Sequence, residues 1–143
     1  RVLCDALKHN TTLESLNVGN PNGSTSGDIK AEGARYFADM LKVNRSLTSV
    51  NLLQNDLGDG AAAIVAAAKQ QGNIKTLCGI EEGKTKVSFP GQNLKAPDAV
   101  LLSFDLEFNR SLKSVDLRYN SIPDEGKQQL RDAVKGKNTT LQL

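Results

Sequence analysis

At 143 residues, with 38% hydrophobic and 24% charged side chains, the chain holds enough apolar material for one ordinary domain and too much to stay disordered. Lys and Arg number 18 against 16 Asp and Glu, giving a formal charge of +2 with no dense basic run, which argues against a nucleic-acid partner. The longest strongly apolar run, Ala61 to Ala68, falls far short of the roughly 18 residues that cross a membrane.

Taken in order, the chain opens on a helical pattern at Val2 to Lys8, entered mid-pattern at Arg1, and passes into a strand-like copy beginning at Leu13. Asn20 to Asp28 follows as a run of turn formers too polar for a core, predicting a projecting loop. A second helix is predicted at Glu32 to Lys42. Asn44 to Leu57 is the clearest unit of the chain, and it returns almost unchanged as Asn109 to Ile122. Further helices are predicted at Asp59 to Gln70, Pro97 to Phe108 and Asp124 to Lys135, with Asp59 and Asp124 capping first turns and Pro97 at a first helical position. The chain stops inside a strand pattern at Leu141 to Leu143, so residues 1–143 read as a single domain of about five repeats cut from a longer array.

Within the central unit, Leu47, Val50, Leu52, Asn55 and Leu57 follow the spacing L-x-x-L-x-L-x-x-N-x-L. This resembles a leucine-rich repeat. Copies start at Leu13, Leu47, Ile74, Leu112 and Leu141, with a weaker register at Lys84 to Leu94, and the underlying period is about 28 residues. That period, with a long helix per repeat, is similar to the ribonuclease-inhibitor-like class, also seen in tropomodulin-type actin cappers, Ran GTPase-activating proteins and NOD-like receptors. The resemblance implies an α/β fold, a solenoid of parallel strands and helices. Strands stack at about 4.8 Å and helices at roughly 8–10 Å, so the array is expected to curve, with strands on the concave and helices on the convex face.

Strand alternation turns Leu16, Val18, Val50, Leu52, Phe89, Val115 and Leu117 toward the core. Glu14, Asn17, Asn51, Leu53, Lys86, Ser88, Lys113, Asp116 and Arg118 are expected on the concave side. The function expected is a non-catalytic scaffold for a protein partner, contacted by Asn51, Leu53, Lys86, Ser88, Lys113, Asp116 and Arg118. No metal, cofactor, nucleic acid, membrane or small-molecule substrate is expected. The resemblance also leaves open a regulatory module for a GTPase, an actin-filament capper of the tropomodulin kind, or an immune-sensor array.

Other features have simpler readings. Cys4 and Cys78 lack Cys or His neighbours at metal-ligand spacing, predicting buried free thiols and a reducing, cytoplasmic setting. Asn10, Asn22, Asn44, Asn109 and Asn138 begin N-x-Ser/Thr triplets, but four share one repeat slot, predicting a left-handed residue that ends a helix rather than a sugar acceptor. Asn55 and Asn120, with Gln92 in the matching slot, should turn inward and satisfy neighbouring backbone. His9, the only histidine, sits at a helix end, and no nucleophile–base arrangement can be built.

Between Leu77 and Phe89 two strand-like segments stand too close for a parallel crossover. Val87 to Phe89 is expected to be the parallel strand, with Gly79 to Lys84 looped out. Helix 97–108 is apolar on more than one face, which predicts contact with both neighbouring helices.

Overall fold

Alternation over a few residues, followed by a longer stretch of helical period, gives a strand and then a helix, repeated. The computed structural model describes residues 1–21 and 28–143. The elements are α1 (Val2–His9), β1 (Ser15–Asn17), α2 (Lys30–Val43), β2 (Ser49–Asn51), α3 (Gly60–Gln71), β3 (Lys86–Ser88), α4 (Ala96–Phe108), β4 (Ser114–Asp116), α5 (Asp124–Ala133) and β5 (Thr140–Gln142). All five predicted helices are present. The turn-rich run from Asn20 falls largely outside the described residues.

All strand pairs are parallel, which puts the connecting helices on one side. β1 pairs with β2 in the register Leu16↔Val50, and β4 lies between β3 and β5 in the register Val87↔Val115↔Leu141. The inward residues Val50, Leu52, Val115 and Leu117 are buried together with Phe37, Met40, Leu41, Ile64, Leu101 and Leu102. Helices touch in sequence, α1 to α2, α2 to α3, α3 to α4 and α4 to α5, as stacked repeats must when no single repeat can bury its own apolar side. α2 and α3 approach so closely that a Cβ on Gly60 would lie 2.3 Å from the Ala34 Cβ. None of the helices is long and apolar enough to cross a membrane, among the described residues.

The strand layer is split. Thr76 bridges Ser49 in parallel, the Val50 and Leu52 N–H groups donate to the Thr76 and Leu77 carbonyls (both 3.0 Å), and Gly79 N–H donates to Val50 O. Among the described residues, β3 pairs only with β4. The expected parallel strand therefore forms at Lys86–Ser88, residues 80–85 lie outside any strand, and the Thr76 region belongs to the first sheet as an irregular edge. Thr76 and Cys78 are buried although their pairing partners Ser49 and Asn51 are half-exposed, so the pleat is lost at this seam.

Three local expectations are corrected. Asp59 precedes α3 in helical conformation without a capping side-chain bond, and Asp124 lies inside α5 with Pro123 as the N-cap. Aspartates so placed still oppose the positive helix start, which is why the residue type recurs there. Pro97 is the second residue of α4, and Asp98 caps the start from within by accepting the Lys95 N–H (2.9 Å). Asn10, Asn44 and Asn109 end their helices in extended conformation, with φ of −78°, −74° and −75°, because each carboxamide oxygen accepts the N–H groups two and three residues on. Among the described residues, only α3 ends on a left-handed residue, Gly72.

Candidate interaction surface

Strand pairing lines up the residues whose side chains the core does not use. One row runs Lys86, Ser114, Thr140 and the next Ser88, Asp116, Gln142. Lys86, Ser88 and Arg118 are exposed, and Asp116 is half-exposed. The Arg118 guanidinium grips Asp116 through two bonds, Nε to Oδ1 (2.9 Å) and Nη2 to Oδ2 (2.8 Å). These bonds hold the Asp116 carboxyl below the usual carboxylate range and raise the Arg118 guanidinium. The pair thus presents a fixed dipole on the open strand face.

Asn51 stands in the corresponding row of the first sheet, but the fold uses much of it. Its Oδ1 accepts the Leu53 N–H (3.0 Å), and its side chain is flanked by Gly19 and Gly79, where an added Cβ would lie 3.2 Å and 3.0 Å away. Leu53 is a correction: it is 3% exposed and belongs to the core. The strand ends at Asn51 and the chain enters a turn with Gln54 at φ 65°, so alternation no longer points Leu53 outward. Lys113 is a second correction. It is exposed but precedes β4, on the parity of Val115, and lines a cavity at the rim where helices lead into strands.

That rim carries a side-chain ladder. Asn44, 1% exposed, donates its Nδ2 to Leu7 O (2.7 Å) and Asn10 O (3.2 Å) while its Oδ1 closes its own turn. Gln71 repeats the arrangement with a longer side chain, donating to Asn44 O (2.9 Å) and accepting the Asn73 and Ile74 N–H groups. Lys137 performs the donor half for the last turn, toward the carbonyls of Leu106, Glu107 and Asn109. The Asn44 amide is thereby committed to protein carbonyls, which accounts for the recurring asparagine without glycosylation.

At the opposite rim, Asn55 and Asn120 act as the sequence predicts. Asn55 accepts the Ile29 N–H and donates to Val18 O and Leu52 O; Asn120 accepts from Gln92 and Leu94 and donates to Phe89 O and Leu117 O. Gln92 breaks the series. It contributes its carbonyl to the Gln54 side chain (2.8 Å), and Asp98 instead accepts the Gln54 N–H (2.8 Å).

Asp98 and Asp105, two turns apart on α4, together fasten the first sheet to the second half. Asp105, 1% exposed, accepts from the Leu77 N–H (2.7 Å) and the Thr76 hydroxyl. Burial pushes its carboxyl up to about 6 against those bonds, and burial also raises Asp98. The Cys78 thiol beside it is driven well above its ordinary value, first by burial and then by Asp105, and both cysteines are free and buried. Such a thiol is a poor nucleophile. Two aspartates seven residues apart in an otherwise apolar helix are a sequence signal that hydropathy alone does not interpret.

This arrangement, with parallel strands, one helix per strand and inward asparagines at fixed slots, defines a leucine-rich-repeat architecture of the α/β solenoid type. A family model described as "Leucine Rich repeat" matches residues 43–64 and 108–128, each match covering one copy of the central unit. The chain thus carries two matched leucine-rich repeats, and along its length it is similar to proteins whose names carry NACHT, LRR and PYD domains. It is 31% identical over 143 residues to NACHT, LRR and PYD domains-containing protein 9 of Bos taurus, covering 99% of this chain and 13% of that protein. It is 30% identical over 145 residues to the human protein 14 of the same description, covering 99% and 12%, and 28% identical over 138 residues to the human protein 13, covering 94% and 12%. The chain spans about an eighth of the length of these relatives.

Proposed function

We propose that the chain is a non-catalytic protein-binding array, curved in the ribonuclease-inhibitor-like manner, which meets its partner on the concave strand face. Leucine-rich repeats bind proteins as a class, and the relatives carry NACHT, LRR and PYD domains by name. On this reading the chain serves as the repeat portion of a cytoplasmic protein of the NOD-like receptor kind. The carrying observation is that Lys86, Ser88 and Asp116 stand on strands whose opposite face is core, with Arg118 in the turn just beyond β4, yet none of their side chains contributes to that core. Asn51 adds a partly exposed amide, and Lys113 extends the surface to the rim. Leu53 is removed from the contact set by its burial.

Because Asp116 and Arg118 bind one another, reversing both charges keeps an ion pair available while inverting its direction. The double variant Asp116→Lys, Arg118→Glu should therefore fold normally and lose the partner that wild-type protein captures from native extract. Equal capture of the same protein by both forms would move the contact away from this face.

A further inference from the structure

Sheet pairing stops at the seam, and main-chain hydrogen bonding stops with it. Among the described residues no backbone bond joins residues 1–79 to residues 85–143. Two blocks therefore meet there, one running from α1 to the Thr76 edge and the other from β3 to β5. The polar links between them are made by side chains: Asp105 accepts the Thr76 hydroxyl and the Leu77 N–H (2.7 Å), and Asp98 accepts the Gln54 N–H (2.8 Å). Gln54 Nε2 also donates to Gln92 O (2.8 Å), and the exposed Lys69 and Glu107 pair at 3.6 Å. Apolar contact is thinner as well, since α3 meets α4 less closely than it meets α2.

Cavities ring the same boundary. One of about 280 Å³ lies at one rim between Gln54 and Gln92, and one of about 410 Å³ at the other rim between Thr76 and Asn109. A third, of about 590 Å³, opens on the helix face between Val65 of α3 and Val100 of α4. The chain that connects the blocks, residues 80–85, lies outside any strand and is exposed from Glu81 onward. Left-handed glycines stand at Gly79 (φ 71°) and Gly83 (φ 83°). A Cβ on Gly83 would meet nothing within 4 Å, so glycine serves there for its backbone freedom. Hinges are a few such loop residues, which absorb changes of φ and ψ while the flanking elements stay rigid.

Thr76 is the point of attachment on the first block. Its Oγ accepts the Cys78 and Ile80 N–H groups (3.1 and 3.0 Å), which uses both lone pairs, so its one hydrogen goes to Asp105. We propose that the seam is a joint: the two blocks open relative to one another about residues 79–85 while each stays folded, with the bonds of Asp105 to Thr76 and Leu77 and of Asp98 to Gln54 as its two latches. Asn51 stands on the first block and Lys86, Ser88 and Asp116 on the second, so opening resets the spacing between the two parts of the strand face. The joint follows from the packing and holds whether or not that face binds a partner.

Native-state amide exchange of the isotopically labelled chain, followed by NMR across low urea concentrations, tests this. Leu77 and Gln54 N–H are held by the two latches at opposite rims, whereas Leu52 N–H bonds Leu77 O inside the first block and Leu117 N–H bonds Gln142 O inside the second. After correction for intrinsic rates, Leu77 and Gln54 should exchange at least about tenfold faster than Leu52 and Leu117, with one shared and weaker urea dependence. Thr76→Val keeps the side-chain shape but strands the Cys78 and Ile80 N–H groups and removes a donor from Asp105, and should speed Leu77 and Gln54 alike by about tenfold or more. Thr76→Ser, which keeps the hydroxyl, should return both toward wild type. The proposal is overturned if Leu77 and Gln54 exchange only together with Leu52 and Leu117, if their urea dependences differ, or if Thr76→Val speeds Leu77 and leaves Gln54 unchanged. Should Thr76→Val fail to fold, the four wild-type amides decide the question.

Discussion

The turn at Asn44 and the turn at Asn109 have nearly the same sequence and opposite situations. Asn44 is buried, bonded on both sides of its amide, and followed by an arginine that holds the next turn; Asn109 is half-exposed, bonded on one side, and followed by an arginine with no partner among the described residues. What separates them is the unit that precedes each one. Before Asn44 stands the Asn10 turn, whose carbonyl its amide reaches, and before Asn109 stands a seam with no helix between the Thr76 edge and β3. A repeat therefore does not determine the use of its own residues, because half of each rung belongs to its neighbour.

Breaking the two rungs separately should show this as a difference in stability. Asn44→Ala strands the Leu7 and Asn10 carbonyls and the Ser46 and Leu47 N–H groups, and should cost about 3–4 kcal/mol by urea denaturation. Asn109→Ala loses only the two bonds of its own turn and should cost about 1–2 kcal/mol. Equal losses would mean that the preceding unit is irrelevant to the rung.

Next in size is the pH response of the seam. The folded carboxyl of Asp105 titrates near 6, above its ordinary 3.8, so between those values the folded protein holds a proton that the unfolded chain has released. Its contribution is favourable at low pH and is lost as pH rises through about 6, a change on the order of 3 kcal/mol between pH 4 and pH 7. Other carboxyls contribute their own slopes, so the comparison is with Asp105→Asn, which should lack this component and equal or exceed wild-type stability at pH 7.5. An unchanged pH slope in the variant would place the titration elsewhere.

Gly60→Ala tests the regular half. Helix propensity favours alanine, but the new methyl would meet Ala34, whose Cβ would be 2.3 Å away, and Ala31 O at 3.1 Å. A net loss of about 2 kcal/mol is expected, readable as a lowered thermal midpoint. The smallest effect should come from Lys75→Ala, which removes an exposed ion pair with Glu82 at the seam and should change stability by less than about 0.5 kcal/mol.

Much of this molecule was legible locally. The helices Val2–His9 and Ala96–Phe108 fall within a residue of their predicted limits, since apolar period and capping chemistry act over a few residues. Asn55 and Asn120 were placed correctly because repeating slots keep the same environment wherever a neighbour of the same kind is stacked. Leu53 was misplaced because the pleat stops at Asn51, while Lys113 shares the inward parity of Val115 and is exposed because it precedes β4, not because alternation turns it outward.

By itself the sequence determined the repeat, its parallel strands and its buried leucines, all consequences of short-range periodicity. Tertiary structure alone decided where the stack is interrupted, that Asp98 and Asp105 fasten it, and that, among the described residues, Arg110 and the Asn109 donor are left without the partners their copies have. Those outcomes depend on which backbone groups stand a few ångströms away after stacking, and residues of identical type in identical slots carry no record of that distance.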